Sequence, residues 1–311
     1  MPENPVHSRP RIVIIAGPTA AGKSRLGLRL AQRFNGEIVS ADSMQVYRHM
    51  DIGTAKPSLE EQVAVGHHLI DVVDPDGKFN AAIYFDLAAK IVDRLWKENK
   101  PVFVVGGTGL YIRVLTGGLI NLPGPSAGIR AKLKGEMAKF GKPYLYEMLQ
   151  DLDPASARRI HPNDSVRIIR ALEALELTGE SITRMQSEHG FAERRYDYVK
   201  IGINLERKEL FSRIAERSDR MIAQGLVAET EKLLGMGYGE GLKPMQALGY
   251  KHVVQYLKGR AGLDETVEKI KTDTRHYAKR QLTWFGRDGE IEWHDPEDVS
   301  IEAKVAQFLK N

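Results

Sequence analysis

Eight residues near the start, GPTAAGKS (17–24), set two glycines, a lysine and a hydroxyl in the spacing G-x-x-x-x-G-K-[ST]. That spacing suits phosphate. Loop N–H groups and the start of the following helix point at an anion, and the helix dipole adds to the attraction. The candidate binding loop is the whole run Gly17, Pro18, Thr19, Ala20, Ala21, Gly22, Lys23 and Ser24. Lys23 would pair with phosphate oxygens, and the Ser24 hydroxyl would hold a Mg²⁺ ion. The motif leaves open which phosphate is held: the end of a nucleoside triphosphate, or the diphosphate of another substrate.

Two further groups could join it. Asp42 lies at the carboxyl end of an expected strand, where open α/β sheets place their ligands, and it equally suits a helix cap or turn. Thr108, in GGTG, is a turn threonine by default and a site hydroxyl if the two Gly-rich turns converge. His67 and His68 are adjacent in an expected strand, so they point to opposite faces and suit structural roles better than one shared metal.

The carboxyl-terminal third is basic. From 241 to 287 there are ten Lys or Arg against four Asp or Glu, an excess above the +4 of the whole chain. Tyr250, Tyr256, Tyr277, Trp284 and Phe285 are interleaved. Cations for phosphates and rings for unpaired bases suit nucleic acid. A solvated helix face over a buried aromatic stripe explains the same residues. Arg167 and Arg170, three apart on one helix face, read either as part of that surface or as partners of Glu173 and Glu176.

The elements that must position these groups follow from composition and period. Residues 11–16 are a β-branched run, hence a buried strand; 17–24 are loop; Leu26, Leu30 and Phe34 recur at helical spacing; 37–40 form a second strand. This is the opening of a parallel α/β sheet. A strand at 68–73, a helix at 81–96 and a strand at 102–105 follow. The character then changes: 129–140, 143–150, 154–160 and 165–177 read as helices, and no strand signal returns until 196–205. We read 1–116 with 196–311 as an α/β core ending in a basic helical part, and 117–195 as an inserted helical domain. With 42% hydrophobic residues among 311, the chain can bury a sizeable core. It has no cysteine, which excludes disulfides and cysteine-ligated metals. No apolar run approaches the roughly 20 residues of a membrane span. The opening MPENPVHSRP reads as a loose tail without a signal-peptide core, so a cytoplasmic enzyme is expected.

Taken in order, GPTAAGKS, ADSMQVYRHMDIGTAKP (41–57), HHLIDVVDP (67–75), VGGTGLYI (105–112), HPNDSVRIIRALE (161–173), MQALGYKH (245–252) and YAKRQLTWF (277–285) resemble the tRNA dimethylallyltransferases, also called tRNA isopentenyltransferases. The resemblance implies an α/β fold with a P-loop NTPase-like parallel sheet core and an inserted helical domain. It implies transfer of a dimethylallyl group from dimethylallyl diphosphate to the exocyclic amine of the adenosine just 3′ of the anticodon. The loop would then hold a diphosphate. By the same resemblance Asp42 is the base, Thr108 a hydroxyl near the transferred group, and Thr19 and Arg217 contacts of the diphosphate, with Mg²⁺ as cofactor. The tRNA anticodon stem-loop is the expected partner. Its contacts would come from Asp42, Ser43, Met44 and Gln45, from Thr108 and Arg130, from Val166, Arg167, Ile168, Ile169 and Arg170, and from Ala247, Leu248, Gly249, Tyr250, Lys251 and His252. Members of this length are expected to be monomers away from membranes, and the lack of a cysteine-bearing tail matches the compact bacterial type. His49 departs from the pattern, standing where glycine is usual. Two rival readings are an ATP-dependent small-molecule kinase and a non-catalytic RNA-binding protein with a nucleotide switch.

Overall fold

A computed structural model describes residues 9–310; residues 1–8, most of the expected tail, lie outside the described residues, as does 311. Six strands, β1 (Arg11–Ala16), β2 (Glu37–Ser40), β3 (His67–His68), β4 (Val102–Gly106), β5 (Asp197–Ile203) and β6 (Ile291–His294), form one sheet in the order β3-β2-β4-β1-β5-β6. Every pairing is parallel. From Ile12 to Ala16, β1 has no exposed surface, as a central strand covered on both faces requires. The chain turns to one side of β1 for β2 to β4 and to the other for β5 and β6. The crevice at that reversal, beyond the carboxyl ends of β1 and β4, is where such sheets bind ligands.

The helices are α1 (Lys23–Arg33), α2 (Leu59–Ala64), α3 (Ala81–Lys97), α4 (Gly109–Gly117), α5 (Ala127–Phe140), α6 (Lys142–Leu152), α7 (Pro154–Ala157), α8 (Ser165–Thr178), α9 (Ile182–His189), α10 (Arg207–Ala223), α11 (Leu226–Gly235), α12 (Tyr250–Leu257), α13 (Leu263–Phe285) and α14 (Ser300–Lys310). No helix among the described residues is long and apolar enough to cross a membrane.

The chain divides into two compact units: one runs to Thr116 and resumes at Arg195, and the other is Gly117–Arg194. The first has a core in which Leu26 and Leu30 of α1, Ile201 and Ile203 of β5, and Ala278 of α13 pack with the central strands. The second is built on Leu133, Leu145, Leu149, Ile168, Ile169 and Leu172. Its α8 starts on Asp164, whose side chain accepts the N–H of Arg167, and stops at Gly179 in the left-handed region, φ 74°.

Three expectations need correction. The strand foreseen at 68–73 shrinks to His67–His68, because Leu69 (φ 62°) and Asp71 (φ 53°) leave the extended region; Val73 keeps only a bridge to Tyr47. The carboxyl-terminal third is not all helix: IEWH (291–294) adds β6 to the sheet edge. Two short helices, α2 and α9, were not anticipated.

Candidate active site

The phosphate loop leaves β1 at Gly17, whose φ of 141° and close approach to the Ile203 carbonyl leave no room for a side chain. Gly22, in the left-handed region at φ 96°, starts α1 without any side-chain cap. The first-turn N–H groups of α1 thus face the loop's hollow, free for an anion. Lys23 is buried at 9% exposure, and its Nζ donates to the Pro18 carbonyl at 2.6 Å. Burial, then the charge of Arg217, push the Lys23 ammonium down to about 7, with Asp42 opposing. Burial also lowers Arg217, again against the pull of Asp42. These opposed shifts place two cations and one carboxylate in a single electrostatic neighbourhood.

Arg217 comes from α10, and its Nη1 donates to the Thr19 hydroxyl at 3.2 Å. Asp42 follows β2 and caps its own turn: Oδ1 accepts the N–H of Met44 at 2.8 Å. The Thr108 hydroxyl accepts the N–H of Ser43 at 3.0 Å, so the second Gly-rich turn reaches the residue beside Asp42. The two glycine turns do converge.

Three hollows meet here. A narrow pocket is lined by Thr19, Lys23, Ser24, Asp42, Arg217 and Tyr277. It shares Lys23, Ser24 and Arg217 with a broad outer cavity of about 1350 Å³. It shares Asp42, Arg217 and Tyr277 with an inner one of about 250 Å³, which Ser43, Met44, Ala247, Leu248 and Gly249 also line. The phosphate loop therefore opens one way, and the Asp42 turn with the 247–249 segment opens the other.

Not every foreseen contact residue faces a hollow. The side chains of Ile168 and Ile169 belong to the core of the second unit and are turned away from solvent. Tyr250 lines the inner cavity but is fully buried, its hydroxyl donating to Glu229 at 2.6 Å, and His252 is 7% exposed with Nε2 3.0 Å from Asp273. The Tyr250 hydroxyl and His252 Nε2 are thus already engaged within the protein. Lys251 is half-buried and also reaches Asp273, at 2.6 Å. Gln45 lines the narrow pocket, but Oε1 accepts from Ser40 Oγ at 3.0 Å and Nε2 donates to the Ala55 carbonyl at 3.3 Å. In the second unit Val166 and Arg167 are exposed, while Arg130 and Arg170 share the buried Glu173 at 2.8 and 2.7 Å. His67 donates to the Val65 carbonyl and also lines the narrow pocket and the outer cavity, while His68 meets Glu37.

Sequence reasoning missed Gln281 and Glu229, and gave Tyr277 only as one of several interleaved rings. Tyr277 lines the narrow and inner hollows together with Asp42, and burial followed by the Asp42 charge raises its phenol above the ordinary value. Glu229 accepts the N–H groups of Asp51, Ile52 and Gly53, fixing the loop that continues from the Asp42 turn. The spacing of Tyr277 and Gln281, four apart inside YAKRQLTWF, is a one-face signal that the count of charges in that segment hid.

Among the described residues no group of three or more His, Cys, Asp or Glu could hold a metal ion. The loop offers two side-chain hydroxyls, and that of Thr19 is already engaged by Arg217, which leaves Ser24. That donor suits Mg²⁺, which takes one or two protein oxygens and completes its shell with water and substrate phosphate.

The sequence profile of the IPP transferase family matches residues 45–288. The chain is 52% identical over 303 residues to the tRNA dimethylallyltransferase 2 of Syntrophus aciditrophicus, covering 97% of each. Its fold matches the solved tRNA isopentenylpyrophosphate transferase of Bacillus halodurans with a TM-score of 0.72 at 39% identity, covering 97% of both chains. It also matches a eukaryotic dimethylallyltransferase solved acting on tRNA, with a TM-score of 0.77 at 28% identity over 94% of this chain and 75% of that one. The profile begins beyond the phosphate loop, so the loop adds its own evidence to a likeness that already spans both units: the chain belongs to the IPP transferase family.

Proposed function

We propose that this enzyme moves a dimethylallyl group from dimethylallyl diphosphate to N6 of the adenosine 3′-adjacent to the anticodon of tRNA, giving N6-isopentenyladenosine and pyrophosphate. The observation that carries the reading is the shared pocket: the phosphate-loop lysine and a carboxylate line one hollow that opens both ways.

The chemistry needs both ends. Adenine's exocyclic nitrogen is a weak nucleophile, because its lone pair is delocalised into the ring. The allylic donor compensates, since its carbon–oxygen bond can break with positive charge spread over the allyl unit. Pyrophosphate leaves once its charge is met by the loop N–H groups of Gly22, Lys23 and Ser24, the Lys23 ammonium and the Arg217 guanidinium. Mg²⁺ held by Ser24 would add positive charge beside the leaving oxygens. Asp42 accepts the proton released as N6 bonds to the allyl carbon. The Met44 N–H on its Oδ1 fixes the carboxylate while Oδ2 stays free to take that proton.

A stacked adenine cannot reach this pocket, so the base swings out of the anticodon loop. It enters by the inner cavity, between Ser43–Met44 and Ala247–Gly249. The prenyl donor enters from the outer cavity. The helical unit 117–194, through Arg130, Arg167 and Arg170, contacts the phosphates of the anticodon stem.

The test is an incubation of enzyme, Mg²⁺, radiolabelled dimethylallyl diphosphate and an anticodon stem-loop carrying the adenosine, with ATP absent. Label retained on the RNA supports the reading. Intact donor, with turnover appearing only on adding ATP, would favour a kinase.

A further inference from the structure

Gln281 sits on the buried side of α13, 6% exposed, with its amide aimed at two loops far away in sequence. Oε1 accepts the N–H of Thr19, in the phosphate loop, at 2.8 Å. Nε2 donates to the carbonyl of Gly107, in the turn after β4, at 2.9 Å. The fit is tight. A β-carbon at Gly107 would collide with Gln281 Nε2, so the bare glycine is what seats the amide.

Each loop carries one half of the chemistry. Thr19, held by its N–H, presents its hydroxyl to Arg217 at 3.2 Å. Thr108, next to Gly107, holds the N–H of Ser43 at 3.0 Å, and Ser43 adjoins Asp42. An unbroken path of hydrogen bonds and adjacent residues thus runs from the cation that meets the diphosphate to the carboxylate that takes the proton, with Gln281 at its midpoint.

We propose that Gln281 is a positioning residue: its amide fixes the separation between the diphosphate subsite and Asp42 by clasping the two loops that carry them. The inference rests on the transferase reading above. A single amide has one acceptor and two donors on one planar carbon, which is what an N–H on one side and a C=O on the other demand. Glutamate keeps the acceptor but sets an ionised oxygen against the Gly107 carbonyl and brings negative charge towards the diphosphate. Alanine removes both bonds. Displacing a reacting pair by about 1 Å costs about 10²-fold in rate, so the loss falls on turnover.

The experiment measures kcat and KM for prenyl transfer, stem-loop affinity, and inorganic pyrophosphate affinity by calorimetry, in full-length parent and variants. Gln281→Ala is expected to lower kcat about 30-fold while stem-loop affinity stays within about twofold. Gln281→Glu lowers kcat similarly and also weakens pyrophosphate. Gly107→Ala, at a backbone angle alanine can adopt, lowers kcat by displacing the amide, yet adds little to Gln281→Ala because the colliding group is gone. Two results overturn the proposal: a Gln281→Ala kcat within about threefold of the parent, or full additivity of the Gly107→Ala and Gln281→Ala losses. A parent that puts no label on RNA refutes the transferase reading itself, and the positioning role with it; an active parent with an indifferent Gln281 refutes the positioning role alone.

Discussion

The ammonium of Lys23 closes back on its own loop, donating to the carbonyl of Pro18 at 2.6 Å. Before any anion arrives, the lysine is held inside the hollow that its charge would serve. The electrostatic consequence is a cation that sits uneasily: burial and Arg217 bring it down to about 7.

A phosphate favours the charged lysine, and the charged fraction falls as pH rises through 7. Pyrophosphate affinity should therefore weaken with rising pH from about 6 to 8.5, by at most about tenfold per unit from this group. Bound pyrophosphate pulls the lysine back up, so binding takes up a proton. Calorimetry on the parent and on Lys23→Met separates this from the titration of pyrophosphate itself. Identical pH profiles for the two proteins would contradict it.

Asp42→Asn keeps the oxygen that accepts the Met44 N–H at 2.8 Å and removes the base. The turn should survive, tRNA affinity should stay within about twofold, and kcat should fall about 10²–10⁴-fold. Turnover within about threefold of the parent would take the role away from Asp42.

Glu173 is fully buried and accepts from Arg130, Arg170 and the N–H of Ser126. Glu173→Ala leaves two guanidiniums without their carboxylate and should cost about 3–5 kcal/mol in the urea transition of the helical unit. Burial raises the Glu173 pKa, but the hydrogen bonds from Arg130 and Arg170 outweigh it and hold it below the ordinary value. The cluster's contribution is thus complete above the ordinary Glu pKa and is lost as pH falls through the depressed one. A cost under about 1 kcal/mol would contradict this account.

Arg167 is the contrasting case. Its ion pair with Asp164 is 3.0 Å long, with 71% of the arginine side chain exposed. Such a pair adds little stability. Arg167→Ala should leave the unfolding transition within about 0.5 kcal/mol and reduce the salt slope of tRNA binding by about one. An unaltered slope removes Arg167 from the contact surface.

His49 holds φ at 65°, in the left-handed region that disfavours a side chain, and its own side chain is exposed. This gives a physical reason for glycine to be usual there. His49→Gly relieves about 1–2 kcal/mol of strain and costs part of that in unfolded-chain entropy, so a net gain of about 0.5–1 kcal/mol is expected in thermal unfolding. A loss of stability would show that the histidine makes a contact worth more than its strain.

What was legible in the sequence was local. GPTAAGKS holds its meaning in eight consecutive residues, whereas the end of a short strand left Asp42 open between site and turn, and only the resemblance gave it a role. Helices α5 to α8 of the inserted unit follow from their period, while the short α9 does not. Gln281 was invisible for the opposite reason: its partners, Thr19 and Gly107, lie 262 and 174 residues away, and only the folded sheet brings them to α13. β6 was missed because IEWH alternates for four residues only and gains its hydrogen bonds from β5. The run from 68 to 73 looked like a strand because alternation cannot reveal a positive φ at Leu69 and Asp71. The resemblance named VRIIR as one contact segment, but a helix sends Ile168 and Ile169 inward and Arg167 outward.

The most direct test follows both products of one reaction. Enzyme, Mg²⁺, dimethylallyl diphosphate and an anticodon stem-loop are incubated without ATP; released pyrophosphate is measured, and the RNA is digested to nucleosides and analysed by mass spectrometry. The account predicts N6-isopentenyladenosine at the position 3′ of the anticodon, matched one for one by pyrophosphate, with both products forming about 10²–10⁴-fold more slowly in Asp42→Asn. Pyrophosphate release without modified adenosine, or modification that requires ATP, would contradict it.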